Sequence, residues 1–193
     1  MTVDFEVLPY PDRYQELLEL RHLALTATRQ LAPGTSVADL ADPRDVEAAL
    51  IVADVDGRLV ASGRLTPPLD GPILHADNRL LGPEVGIPPR DQYLEYSKAC
   101  IHPDYHGQGL FWPLVARCLK VAQSLGRPYL LGGTNPDLFR FWGRCGFEKV
   151  PTLYTGPNNP DVVYSAMVLD VEAVLAGRGV SAKLVEALDR LED

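Results

Sequence analysis

Apolar positions along this chain recur first at a spacing of two, then at a mixture of two and three to four. Val3, Phe5 and Val7 alternate with polar neighbours and predict a short first strand. Pro11 and Asp12 then open a helix in which Tyr14, Leu17, Leu18, Leu25 and Thr28 keep helical spacing. Arg21 falls on or beside that stripe, and periodicity alone gives it an apolar-packed stem with a solvated head. After a loop from Leu31 to Asp45 comes a hairpin: Ala48 to Val55, the turn Asp56-Gly57, and Arg58 to Leu65. Arg64, where the second strand ends, reads as an ordinary rim charge or as an anchor for a carboxylate. Residues 66–92 have no clear period and many prolines, which suggests a lid or acceptor-site segment, with a plain surface excursion as the alternative. Tyr93 to Ile101 is a largely buried strand that Pro103 stops. The glycine-bearing turn 106–110 follows, then a helix with Leu114, Val115, Cys118, Leu119 and Ala122 on one face.

Beyond that helix, Pro128 to Thr134 is a short buried strand. Asn135-Pro136-Asp137 starts a helix by capping it, with Leu138, Phe141, Trp142 and Cys145 as apolar positions and Gly146 as its end. Phe147 onward and Asp161 to Leu169 read as two more strands. Val171 to Leu191 is helical on both sides of Gly177 and Gly179, as an appended surface helix. Strands dominate the first third and then alternate with helices, which predicts an α/β (α+β) fold with a mixed sheet and helices on its faces. At 193 residues one domain, 1–193, is expected.

A net charge of −8 leaves no basic stripe for nucleic acid. Cys100, Cys118 and Cys145 are odd in number and lie inside regular elements, as in a reduced cytosolic protein. No signal peptide and no run of about 18 apolar residues occurs, so a cytoplasmic protein without membrane association is expected.

The candidate chemistry centres on the strand, glycine turn and helix between Tyr93 and Leu125. A helix N-terminus offers free N–H groups and a positive dipole end, and Gly107 and Gly109 let an anion approach the backbone. No Gly-Lys-Ser/Thr follows, and the three-glycine dinucleotide spacing is missing. The order resembles the pyrophosphate loop of the GCN5-related N-acyltransferase (GNAT) superfamily, Arg/Gln-x-x-Gly-x-Gly/Ala, with His106 first, Gly109 fourth and Phe111 last. A second resemblant segment is Asn135 followed by Phe141-Trp142-Gly143-Arg144-Cys145-Gly146-Phe147. In that superfamily an asparagine there holds the pantetheine arm and a tyrosine serves as general acid; Trp142 stands in the tyrosine's place. An indole N–H donates a hydrogen bond but gives up no proton near neutral pH.

The front half, roughly residues 15–102, is similar to acyl-homoserine-lactone synthases and related N-acyl amino acid synthases. It carries Arg21, Asp42-x-x-Asp45, Arg64-Leu65-Thr66-Pro67 and Glu95-x-Ser97-Lys98 in their order. Ala24 and Leu31 stand where two aromatic residues of those synthases are expected.

The resemblance implies a GNAT-like, mixed but mostly antiparallel sheet and an N-acyltransferase. The acyl donor would be acyl-CoA or the acyl-phosphopantetheine of a carrier protein, with no metal, and the acceptor a small-molecule primary amine. An acetyl-CoA-dependent small-molecule acetyltransferase and a catalytically degenerate acyl-CoA-binding module are the alternatives. A monomer or a homodimer is compatible with the sequence. Glu95 is the candidate base, the alternative being a structural pair with Lys98 or Arg64. Ser97, on the same strand face, either orients substrate or satisfies a neighbouring backbone group. Ala99, Cys100 and Ile101 would offer backbone groups, and His106, Gly107, Gln108, Gly109, Leu110, Asn135 and Trp142 would hold the cofactor. Arg21, Asp45, Arg64 and Lys98 complete the set as acceptor-side residues.

Overall fold

The computed structural model describes residues 3–68, 79–156 and 159–191. Its strands are β1 (Asp4–Leu8), β2 (Ala49–Val55), β3 (Arg58–Thr66), β4 (Arg79–Leu80), β5 (Tyr93–Ile101), β6 (Tyr129–Thr134), β7 (Glu148–Gly156) and β8 (Asn159–Asp170). The helices are α1 (Tyr14–Ala27), α2 (Phe111–Ser124), α3 (Phe139–Gly143), α4 (Val171–Leu175) and α5 (Ala182–Asp189). Among the described residues the strands form one sheet in the order β1-β2-β3-β5-β6-β8-β7-β4. Every neighbouring pair is antiparallel except β5 and β6.

Alternation along β2 decides which helix covers which face. Leu50 and Val52 pack with Leu17 and Leu20 of α1, whereas Ile51 and Ala53 belong to the main core with α2. From α2 that core takes Leu114, Val115, Cys118, Leu119 and Ala122, as the helical spacing predicts. Truncating a fully buried leucine such as Leu114 to alanine would cost about 2–5 kcal/mol. The hairpin turn is the expected one: Asp56 and Gly57 both hold positive φ, 52° and 83°, which matches the twist of the flanking strands.

Two expectations need correction. The tail is not an appendage, because α5 packs against α2 and buries Leu184, Ala187 and Leu188 in the main core. The Asn135 cap, accepting from the Asp137 amide at 3.1 Å, starts a 3₁₀ turn before the five-residue α3. Leu138 and Phe141 on this short element remain exposed. Ile73 and Leu74 of the proposed lid lie outside the described residues. Its described part is pinned to β7, where Thr152 Oγ1 accepts from the Val85 amide (2.8 Å) and donates to the Val85 carbonyl (3.0 Å).

Candidate active site

The sheet opens at one place. β5 and β6 pair only from Tyr93↔Tyr129 to Glu95↔Leu131. Beyond that, β5 stays with β3 and β6 stays with β8, so the facing edges of β5 and β6 lose their ladder. A bulge helps the parting. Ser62↔Cys100 and Arg64↔Ser97 set two steps on β3 against three on β5, and Lys98 takes up the extra residue with φ 54°. Ala99, Cys100 and Ile101 therefore lie on the strand just past the split, where β5's outward N–H and C=O groups have no partner strand among the described residues.

The glycine turn follows β5. Gly107 and Gly109 adopt φ of 77° and 84°, and a Cβ on either would meet nothing within 4 Å. The backbone thus needs glycine for its conformation and leaves open space in front. The first internal bond of α2 runs from the Leu114 amide to the Leu110 carbonyl, so earlier amides have no acceptor within the helix. Pro113 removes one further donor at no cost there. His106, exposed, is turned back so that its Nε2 lies 3.0 Å from the Ile101 carbonyl, and the Gln108 amide group donates to the Asp104 carbonyl at 3.0 Å. These two side chains brace the turn.

On the α1 face, β3 and β5 carry a buried set of charges. Asp45, 0 % exposed, accepts from Arg21 Nη1 (2.7 Å), Arg64 Nη1 (2.8 Å) and Tyr14 Oη (2.8 Å). Arg64, also 0 % exposed, reaches Asp42 at 2.7 Å and donates from Nε to Ser97 Oγ at 3.0 Å. Neither arginine fits its simplest sequence reading. Arg21 is 1 % exposed, so its head is not solvated, and Arg64 is no rim charge. Arg21 Nε and Nη2 are buried without a hydrogen-bond partner. Burial alone pushes the Asp45 carboxyl up, but Arg21 and Arg64 more than offset it and hold it below the ordinary carboxylate range.

Glu95, 2 % exposed, is paired at 2.5 Å with Arg44 Nη2, from inside the Asp42-x-x-Asp45 segment. Sequence reasoning offered Lys98 or Arg64 as its partner and missed Arg44. Tyr14 was also missed, having been read only as an apolar position of α1. Lys98 is half-buried near this network. Burial pushes its ammonium down from 10.5 to about 8, with Arg64 and Arg21 pushing the same way against Asp42 and Asp45.

The α2 face of the split is aromatic. Trp142, half-buried, meets Tyr96, Phe147, Phe111 and Phe141 with ring centroids 5.5–5.7 Å apart. Arg144 lies over the Trp112 ring, 5.4 Å from its centroid. Trp142 is thus fixed as part of a packed wall. The sequence brings Glu95, Ser97, Lys98, Arg21, Asp45 and Arg64 together on one face, and the glycine turn, Asn135 and Trp142 around the far ends of β5 and β6.

No protein-family model and no curated protein sequence matches the chain. Solved structures do. An acyl-CoA N-acyltransferase from Pseudomonas aeruginosa is similar over 87% of this chain and 99% of its own, with a TM-score of 0.62 at 20% identity. An N-acyl amino acid synthase from uncultured soil microbes matches 92% of this chain and 95% of its own (TM-score 0.63, 14% identity). A CoA-dependent acyl-homoserine lactone synthase, determined with SAM and isopentyl-CoA, matches 95% and 83% (TM-score 0.68, 17% identity). The chain therefore has the GNAT fold, with the split between β5 and β6 and the glycine turn at the head of α2 set side by side in it.

Proposed function

We propose that this protein is an N-acyltransferase that moves an acyl group from a CoA or phosphopantetheine thioester to a primary amine of a small molecule. The observation that carries this reading is the β5–β6 split beside a glycine turn with open space where side chains at Gly107 and Gly109 would stand. The turn and α2's first amides suit a pyrophosphate. The edge of β5 from Ala99 to Ile101, which has no partner strand among the described residues on its β6 side, suits an amide-bearing arm laid along it as a short strand would lie. The acceptor amine would approach from the α1 face, where Arg21, Arg44 and Arg64 hold three carboxylates rigidly and Ser97 steadies Arg64.

Acyl transfer needs a neutral amine against the thioester carbonyl and donors for the oxygen that gains charge. Glu95 is the candidate proton acceptor, being the carboxylate at the last β5–β6 pair. Arg44 neutralises it in the resting chain, so its role requires that pair to loosen when the ammonium arrives. The test is release of free thiol from acyl-CoA with mixed amines, with Glu95→Gln measured alongside. Turnover by the wild type that falls roughly 10²–10⁴-fold in the variant, donor affinity holding, is the expected result. Thiol release indistinguishable from buffer sinks the enzyme reading.

A binding module that holds a thioester without turning it over is the second reading. It is favoured by Trp142 in the tyrosine's place and by the closed Glu95–Arg44 pair. Tight CoA binding with no thiol release would select it.

A further inference from the structure

We propose that Tyr154 of β7 is the hydrogen-bond donor to the departing sulfur, in place of the tyrosine that Trp142 replaces; this rests on the acyltransferase reading. The case is positional. A Cβ at Gly133 would sit 1.4 Å from Tyr154 Oη, so the phenol occupies the space of a side chain at that position. Gly133 is on β6, two residues past the last pairing with β5, on the strand that borders the split. Tyr154 reaches it from two strands away, because β7 is separated from β6 by β8. Two small residues clear the lane: Gly133 itself and Ala166, its paired neighbour on β8, which lies in one cluster with Tyr154, Tyr93 and Leu131.

The ring is held for the task. It stacks on Tyr164 with centroids 5.5 Å apart and planes 17° from parallel, and it is buried. Its hydroxyl makes no hydrogen bond among the described residues, so a polar group is fixed at the split without a protein partner. Burial, then Tyr164 and Glu95, push the phenol well above its usual range, and it stays protonated throughout neutral pH. Such a group gives a hydrogen bond and keeps its proton. In the transfer the C–N bond forms and the C–S bond breaks, its electron pair going to sulfur. The proton shed by nitrogen leaves through the candidate base or water, and the thiolate is held by Tyr154 until release.

The experiment titrates the thiol of protein-bound CoA by its ultraviolet thiolate absorbance, in the wild type and in Tyr154→Phe. Loss of the donor is expected to raise the bound thiol's pKa by about one unit, a tenfold change in thiolate. CoA affinity should stay within about twofold, and kcat with an acyl-CoA should fall about 10- to 100-fold. Equal thiol titration in both proteins overturns the assignment, even if kcat falls, because that fall would then be structural. If the wild type binds no CoA, the acyltransferase reading fails first and this inference with it, a result distinct from equal titration.

Discussion

At the scale of single residues, the buried charges set both stability and its pH dependence. Asp45 has three donors and no contact with water, so Asp45→Asn leaves Arg21 and Arg64 facing an uncharged amide. Breaking a buried pair this way costs about 3–5 kcal/mol. The loss should appear as a lowered urea midpoint at pH 7. Its folded pKa is depressed, so the contribution is present above the unfolded value of about 3.9 and lost as pH falls through the folded one. The gap between wild type and Asn should therefore close in acid; a gap that persists at pH 2 would contradict the ion-pair account. Lys98 has the opposite sign. Its folded pKa, about 8, is below the unfolded 10.5, so the native chain bears a penalty in full below about pH 8 that is relieved as pH rises towards 10.5. Lys98→Met should melt higher than wild type at pH 7 and at the same temperature near pH 11. Little of this was legible in the sequence. Arg21 on an apolar stripe looked like a surface stem, because a periodicity pattern carries no information about a partner 24 residues away.

At the scale of elements, local chemistry was far more readable. The Asp56-Gly57 hairpin and the strand–turn–helix around Gly107 and Gly109 depend on neighbours in sequence, and both form as expected. What escaped notice depends on register. Arg44 meets Glu95 across 51 residues, and Tyr154 meets Gly133 only because β8 inserts between β6 and β7. The tail was misjudged for a related reason: Leu184, Ala187 and Leu188 announce an apolar face, but not that α2 receives it. The glycine turn yields its own prediction. At Gly109, φ 84° is disfavoured for any side chain and worst for a β-branched one, and the Cβ would project into open space beside the turn. Gly109→Val should weaken CoA binding at least tenfold, about 1.4 kcal/mol, while α2 keeps its core contacts. Calorimetry that finds wild-type affinity in the variant would remove the turn from the donor site.

At the scale of the whole molecule, the question is what the two faces of the split do together. The α2 face is a wall of aromatic rings, and the α1 face places rigid charges next to an apolar cluster. That cluster holds Tyr93, Leu131, Tyr154 and Ala166, and Leu80 and Ile87 of the segment before β5 pack against it. An apolar patch bordering the split suits an acyl chain longer than acetyl. Each methylene taken from water contributes about 0.8 kcal/mol, so three more buried in octanoyl than in butyryl would give about 2.4 kcal/mol. That is somewhat over fiftyfold in kcat/KM, enough to outweigh small differences in fit. A closed pocket would behave in reverse, since added volume without room forces strain of about 1–3 kcal/mol. The measurement is kcat/KM for acetyl, butyryl, octanoyl and dodecanoyl donors with one accepted amine. A rise through octanoyl is expected, and Leu131→Ala should flatten it by removing wall from the same cluster. A maximum at acetyl would instead assign Leu80 and Ile87 to packing of their own segment, and leave a small-molecule acetyltransferase.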